Sequence, residues 1–304
     1  MAYGSDYLVD RRRLKRRLRF WQVVSVVAIV GTIVASFSRF GDTVLGGDFI
    51  ARVFVKGIIV QDDQRLLALS DLAKNDAVKA VILRIDSPGG TIVGGETLYR
   101  AVLDLAKEKP VVAVMDAMAA SAGYMAAIGA DRLFAREGTL TGSIGVILQT
   151  TEVTKLLEMI GVSARSFKSG PLKSSPSPVE RITPKVEAIT QELIDEVYRM
   201  FRDMVLERRN MEPGEEFKFA DGRIFTGRQA LKNGLIDEIG GEKVAITWLE
   251  KEKEVPKDLR VLTVNQRRDV DNLIERLGSL ARKTILSERL TLDGLISVWQ
   301  PQSH

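Results

Sequence analysis

The 304-residue chain is predicted to be an α/β protein preceded by one membrane-spanning helix. Three observations lead there. Runs rich in β-branched residues alternate with amphipathic stretches from residue 50 to about 250, the pattern of a mostly parallel sheet covered by helices. Residues 1–19 carry seven Lys/Arg, and the next nineteen residues, Phe20 to Ser38, carry no charge. The hydrophobic fraction of 45% fits a globular domain with such a segment added.

Taken in order, residues 1–19 read as a basic cytoplasmic tail and 20–38 as the span. At about 1.5 Å per residue, nineteen residues reach about 29 Å, close to the hydrocarbon thickness. The flanking cations place the N-terminus in the cytoplasm and residues 41 onward on the far side. A cleaved signal peptide is the competing reading, with Val23 to Ala35 as its apolar region and Ala35-Ser36-Phe37-Ser38 as small residues for cleavage.

A linker over 39–49, glycine-rich from Gly41 to Gly47, leads into the main domain, 50–253. Ile50 to Val60 is strand-like and Leu66 to Leu72 helical. Ala80 to Ile85 is a strand running into Asp86-Ser87-Pro88-Gly89-Gly90, and a helix follows from about Gly94 to Lys107. Val111 to Val114 is a strand, Ser121 to Gly129 a short helix, and Val162 to Phe167 another strand. Thr183 caps a long helix from Pro184 to about Arg209, whose apolar stripe is Val186, Ile189, Leu193, Val197, Phe201 and Met204. Thr226 caps a short helix ending at Asn233-Gly234, and Leu235 to Asp237 is extended. In the C-terminal extension, 254–304, Arg260 to Val264 suits a strand. Asp269 to Arg282 and Leu290 to Trp299 read as amphipathic helices or a mobile tail.

Composition narrows the chemistry. The net charge is +4, but residues 1–19 supply +5, which leaves the remainder at −1, so the folded part lacks the cations that would track a nucleic acid. There is no cysteine, and the one histidine is the last residue, His304. Histidine-based triads, cysteine nucleophiles and histidine-built metal sites are thereby excluded.

Four segments remain for catalysis. Ser121 lies at a strand-to-helix transition, where helix amides and the dipole favour a serine losing its proton and a nearby oxyanion. Its alanine and glycine neighbours would leave room for an acyl group. Lys173, framed by Gly170-Pro171 and Pro176, is the one amine whose setting suits a general base, with Lys168 as the comparison. A solvated lysine is protonated at neutral pH, so this role requires an apolar pocket or a cationic neighbour. Gly90, at the carboxyl end of a strand, would let a backbone N–H approach an oxyanion closely. Ser143, in a hydroxyl-rich turn, would orient the lysine. In their ordinary reading these are, respectively, a packing serine, a solvated loop lysine, a tight turn and a polar turn.

The run Asp86-Ser87-Pro88-Gly89-Gly90, the segment Met118 to Tyr124, the turn Thr141 to Val146, the loop Lys168 to Lys173 and the stretch Ala220 to Ala230, in this order over residues 50–250, resemble the signal peptide peptidase SppA family in its short, single-unit form. That resemblance implies a crotonase/Clp-protease-like superhelix of repeated ββα units. It also implies a Ser-Lys dyad protease with Ser121 as nucleophile, Lys173 as base, Gly90 as oxyanion donor and Ser143 as the lysine's partner, with no metal or organic cofactor. It further implies remnant signal peptides as substrates, a homo-oligomer with sites shared between subunits, and a place in the bacterial inner membrane with the catalytic domain outside the cytoplasm. Ala122, where glycine is frequent, and Leu172, where an aromatic is frequent, depart from the pattern and bear on subsite preference. Two alternatives stay open: a non-catalytic membrane scaffold of the same fold, and a crotonase-like acyl-CoA enzyme.

Overall fold

The central strands β1 (Phe49–Lys56), β2 (Val78–Ser87) and β4 (Val111–Ala120) run parallel, β1 beside β2 and β2 beside β4, and are apolar on both faces. In β2 the alternation sorts side chains into two cores. Val81, Leu83 and Ile85 join the larger one, and Ala80 and Ile82 the smaller one on the opposite face. A computed structural model describes residues 47–264 and 296–298, together with Trp21, Gln22, Val24, Ser25 and Ala28.

Helix α1 (Asp63–Lys74) is capped by Asp62, which accepts the Arg65 N–H, and α2 (Ile92–Glu108) by Thr91, which accepts the Gly94 N–H. Both bury leucines in the larger core, joined there by α3 (Ala122–Ala127) and by Phe201 and Val205 of α5 (Pro184–Arg208). The smaller core is closed by Ala245 and Leu249 of α7 (Glu242–Glu252), with Trp248 edge-on to buried Phe134 at 6.4 Å. Between the layers, Arg84 pairs with Asp116 and Glu242, and Arg52 donates to Glu242 at 2.9 Å, tying β1, β2 and β4 to α7.

The two halves of β4 have different neighbours on the same side. Val112 to Met115 pair with β5 (Arg132–Ala135), and Met118 to Ala120 with β6 (Leu140–Gly142). Next to β6 lies β7 (Ile224–Thr226), antiparallel, and β8 (Glu238–Ile239) lies beside β5. Beyond β1, β9 (Arg260–Thr263) forms the far edge. A separate two-stranded sheet joins β3 (Gly89–Thr91) to β10 (Ile296–Val298), antiparallel.

The alternation of strands and helices predicted from sequence is present, as is the α6 helix (Gly227–Lys232), where Thr226 and Gln229 form a complete capping box. Three expectations are corrected. Val162 to Phe167 is not a strand: among the described residues no backbone ladder pairs with it. The extended segment expected at Leu235 to Asp237 forms no ladder; the strand lies just after it, at Glu238–Ile239, while Leu235 and Ile236 are buried in the core. Ile296–Val298, expected within an amphipathic helix or a mobile tail, is extended and paired. The apolar stripe of α5 is only half used: Phe201 is buried, but Ile189 and Leu193 are exposed.

The chain divides into two units, Met1–Gly47 and Asp48–His304. In the first, Trp21, Gln22, Val24, Ser25 and Ala28 are helical, and most of the expected span over 20–38 lies outside the described residues. Among the described residues no helix is long and apolar enough to cross a membrane. The Asp269 to Arg282 segment also lies outside them.

The double-sided sheet predicts the cost of opening the smaller core. Phe134→Ala should lower unfolding stability by about 3–5 kcal/mol in chemical denaturation. A loss below about 1 kcal/mol would show that Phe134 does not hold α7 to the sheet.

Candidate active site

At the carboxyl end of β4 the chain turns sharply into α3, and Ser121 sits at the corner with φ 53° and ψ −119°. A residue other than glycine pays about 1–3 kcal/mol for such a conformation, so the surroundings must enforce it. Here the β4–β6 ladder, with Ala120 opposite Gly142, runs straight into the corner. The Ser121 N–H donates to the Gly142 carbonyl at 2.8 Å, and the Ser121 carbonyl accepts the Met125 N–H at 2.8 Å. Strand and helix thus grip the same residue from both sides. Hydrolases place a nucleophile on this kind of strained strand-to-helix corner.

Small residues make the corner possible. Ala119, Ala120 and Ala122 are buried, so they do not line an open approach as expected from sequence. They let α3 close onto its neighbours instead. A methyl group on Gly123 would stand 3.2 Å from the Ser87 carbonyl oxygen, and one on Gly95 would stand 2.9 Å from the Ala122 methyl. Ala122 is therefore accommodated because residue 95 is glycine.

Tyr124 fixes the other side of α3. Its ring is buried, and its hydroxyl donates to the Leu235 carbonyl at 2.7 Å. Burial pushes this phenol above its ordinary range, which keeps it neutral as a donor. The Leu235 turn is held in its turn by Arg209, which donates to the Gly234 carbonyl at 2.8 Å and pairs with Asp237. The Asp237 carboxylate also accepts the Leu133 N–H at 2.8 Å.

Gly90 leaves the adjacent strand at the same end of the sheet, since Ser87 of β2 is in register with Ala119 of β4. Buried Ser87 shapes the turn: its hydroxyl accepts the Gly89 N–H at 3.1 Å and lies 3.2 Å from the Gly89 carbonyl. Gly89 has φ 128°, which L side chains rarely adopt. At Gly90 the constraint is contact, because a Cβ there would lie 1.8 Å from the Ile59 carbonyl oxygen. That carbonyl accepts the Thr91 N–H at 2.9 Å, and the Ile59 N–H donates to the Gly89 carbonyl at 2.9 Å. Along an extended strand successive peptide groups face opposite edges, so the N–H and C=O of Gly90 face away from Ile59.

Ser143 follows Gly142, the residue that accepts from Ser121. It has φ 51°, is 9% exposed, and donates its N–H to the Arg223 carbonyl at 2.9 Å. Ser121, Gly90 and Ser143 are therefore brought to one end of the sheet.

Lys173 is not buried with them. It is exposed, contrary to the sequence expectation, and the reason lies in its segment. No hydrophobic residue between Ile144 and Phe201 is buried. Over 152–182, which includes the short helix α4 (Thr154–Met159), polar contacts tie the segment to itself: Val153 to Pro178, Ile182 to Glu152, Arg181 to Glu158, and Lys168 to Glu180. Met159, Ile160, Val162 and Leu172 are exposed, and Phe167 is 98% exposed. The segment has no core of its own in which an amine could be sheltered. Lys168 is held in an ion pair with Glu180, whose carboxyl is lowered first by that bond, and this leaves Lys173 as the better candidate of the two.

Sequence reasoning passed over the roles of Ser87, Tyr124 and Gly95. Tyr124 and Ser87 stood in recognised motifs, but their partners, Leu235 and the Gly89 turn, become visible only in the folded chain.

The fold brings a strained serine and the Gly89-Gly90 turn to one end of a mostly parallel sheet, and comparison with known proteins gives the chain a family. The Peptidase family S49 model matches residues 104–256. A Synechocystis protein whose name contains the word protease is 40% identical over 200 residues, covering 66% of this chain and 72% of that protein. The chloroplastic serine protease SPPA of Arabidopsis thaliana is 32% identical over 79% of this chain and 36% of its own length. Protease 4 of Haemophilus influenzae is 33% identical over 87% of this chain and 38% of its own length. The chain belongs to peptidase family S49.

Two substitutions probe the geometry. Gly90→Ala should abolish peptide hydrolysis and destabilise the fold by about 1–3 kcal/mol, since Ile59 must shift; full activity would mean that the β3 turn is not as close as described. Tyr124→Phe leaves the Leu235 carbonyl unpaired and should cost about 1–3 kcal/mol of stability in denaturant titration. An unchanged midpoint would remove the bond from the account of α3.

Proposed function

We propose that the protein is a serine endopeptidase that cleaves apolar, signal-peptide-like segments, with Ser121 as nucleophile and Lys173 as general base. The observation that carries this reading is the strained corner at Ser121, held by the Gly142 carbonyl next to the glycine amides of β3. Such a conformation is costly, and in a family of peptidases its natural use is to present a nucleophile.

The unprotonated amine of Lys173 takes the Ser121 proton as Oγ attacks a peptide carbonyl. The oxyanion is met by the Gly90 N–H and by the first amides of α3, which have no acceptor within their own helix. Collapse of the tetrahedral intermediate releases the amine half of the substrate, and water then hydrolyses the acyl-enzyme. Ser143, one residue beyond the carbonyl that holds Ser121, is placed to orient the lysine head.

Because Lys173 is exposed on a segment that buries no hydrophobic residue of its own, the base is supplied across a contact between copies. The exposed Met159, Ile160 and Phe167 supply the apolar surface for that contact and Leu172 adjoins the amine, so association would shelter the lysine. Residues 20–38 anchor the assembly in the bacterial inner membrane, with residues 1–19 in the cytoplasm and the peptidase domain outside it. The anchor brings the site to remnant signal peptides.

Purified wild type, Ser121→Ala, Lys173→Ala and Lys168→Ala compared on an apolar peptide test the assignment. Turnover should be lost in the first two variants and kept in the third, and a fluorophosphonate should label Ser121. Mixing Ser121→Ala with Lys173→Ala should restore turnover, which a dyad within one chain would not allow. Equal turnover by all four proteins would overturn the proposal.

A further inference from the structure

Strands β2 and β4 do not keep one register. From Val81 opposite Val111 to Ile85 opposite Met115 they run residue for residue, but the next rung joins Ser87 to Ala119. Between these two rungs β2 contributes Asp86 alone, and β4 contributes Asp116, Ala117 and Met118. Two extra residues are therefore stored in β4, at the point where its other neighbour changes from β5 to β6. An even number preserves the alternation of faces, so Ala113 and Met115 before the insertion and Ala119 after it all lie in the larger core.

The insertion sets the reach of the strand. Counted from the rung at Ser87, Ser121 is two residues on, level with Gly89. In the register of Val81 to Ile85 it would be four residues on, about 7 Å further along the sheet. The nucleophile is thus drawn back to the level of the glycine turn without being turned over to the other face.

An insertion inside a sheet keeps its shape only where its polar groups are taken up. The Asp116 carbonyl accepts the hydroxyl of buried Thr139 at 2.7 Å, and the Asp116 carboxylate pairs with Arg84. The Met118 N–H donates to Asp86 Oδ1 at 3.2 Å. The side chain of Asp86 thereby does for the insertion what the backbone ladder does elsewhere. Met118 also lies opposite Leu140, in the first rung between β4 and β6, and that ladder leads to the bond between Ser121 and Gly142.

We propose that Asp86 is a positioning residue for peptide hydrolysis. On the reading of Ser121 as nucleophile and Gly90 as oxyanion donor, its carboxylate fixes the distance between the two by holding the insertion of β4. Asp86 itself touches neither substrate nor the reacting atoms. It acts because the donor belongs to the chain that follows β2 and the nucleophile to the chain that follows β4, and a misplacement of about 1 Å between such groups costs about 10²-fold in rate.

Asp86→Ala leaves the Met118 N–H without its acceptor, whereas Asp86→Asn keeps an oxygen in the same place. In the full-length protein Asp86→Ala should lower kcat on an apolar peptide by about ten- to hundred-fold with KM within about two-fold of wild type, and fluorophosphonate labelling of Ser121 should slow in parallel. Asp86→Asn should keep kcat within about three-fold of wild type, and amide exchange at Met118 should be about ten-fold slower in it than in Asp86→Ala. Wild-type kcat in Asp86→Ala, or equal exchange in the two variants, overturns the proposal. An equal loss of kcat in Asp86→Asn assigns the effect to the charge that Asp86 presents to Arg84, and overturns it as well. Where Asp86→Ala does not fold, Thr139→Val removes the other hold on the insertion: it should lower kcat by about three- to thirty-fold at unchanged KM, and an unchanged kcat overturns the proposal. Retained hydrolysis by Ser121→Ala would instead overturn the proposed function, whatever the Asp86 variants do.

Discussion

The site depends on one hydrogen bond, from the Ser121 N–H to the Gly142 carbonyl at 2.8 Å. It holds Ser121 in a backbone conformation the residue would not keep by itself. The bond exists because β4 changes partners along its length. Over Val112 to Met115 its neighbour is β5, and over Met118 to Ala120 it is β6, which starts only at Leu140. The shift brings a fresh strand up to the point where β4 ends, and the last rung of that ladder is the rung beyond the strand, at Ser121. Much of the surrounding structure serves to fix β6 and α3 at this point: β7 pairs with β6 from outside, and the Thr141 hydroxyl donates to the Ala119 carbonyl at 2.7 Å.

The two sides of the site are built on different principles. On the serine side, strain is locked in by hydrogen bonds and by close contact of small residues, Ala122 against Gly95 and Gly123 against Ser87. On the β3 side, the turn needs one glycine for conformation, Gly89, and one for clearance, Gly90. Together they leave a short strand edge with its polar groups outward, at the same end of the sheet as Ser121. A protease acting on extended peptides needs such an edge, and any free edge attracts other strands. The seating of Ile296–Val298 there is the same property expressed within the chain.

The lysine side is different in kind. A polar segment from Ile147 to Ile182 is stitched together by its own ion pairs and leaves its apolar residues in solvent. It has shape without a core, and that separates the two halves of the proposed dyad: the serine's environment is complete within one chain, and the amine's is not. Under the proposed dyad, that difference makes association between copies a condition of activity.

Much of this was legible in the sequence. Buried parallel strands announce themselves as unbroken apolar runs, helix caps as Thr183 and Thr226, and the candidate serine, glycine and hydroxyl turn as motifs in a fixed order. These signals are local, set by side-chain type and spacing. The strain at Ser121, the contact that forbids a side chain at Gly90, the packing use of the alanines around the serine, the absence of a strand at Val162 to Phe167 and the strand at Ile296–Val298 were decided only by the tertiary structure. Each depends on which distant backbone group stands opposite, and a sequence read in one dimension records what a residue can do but not what it faces.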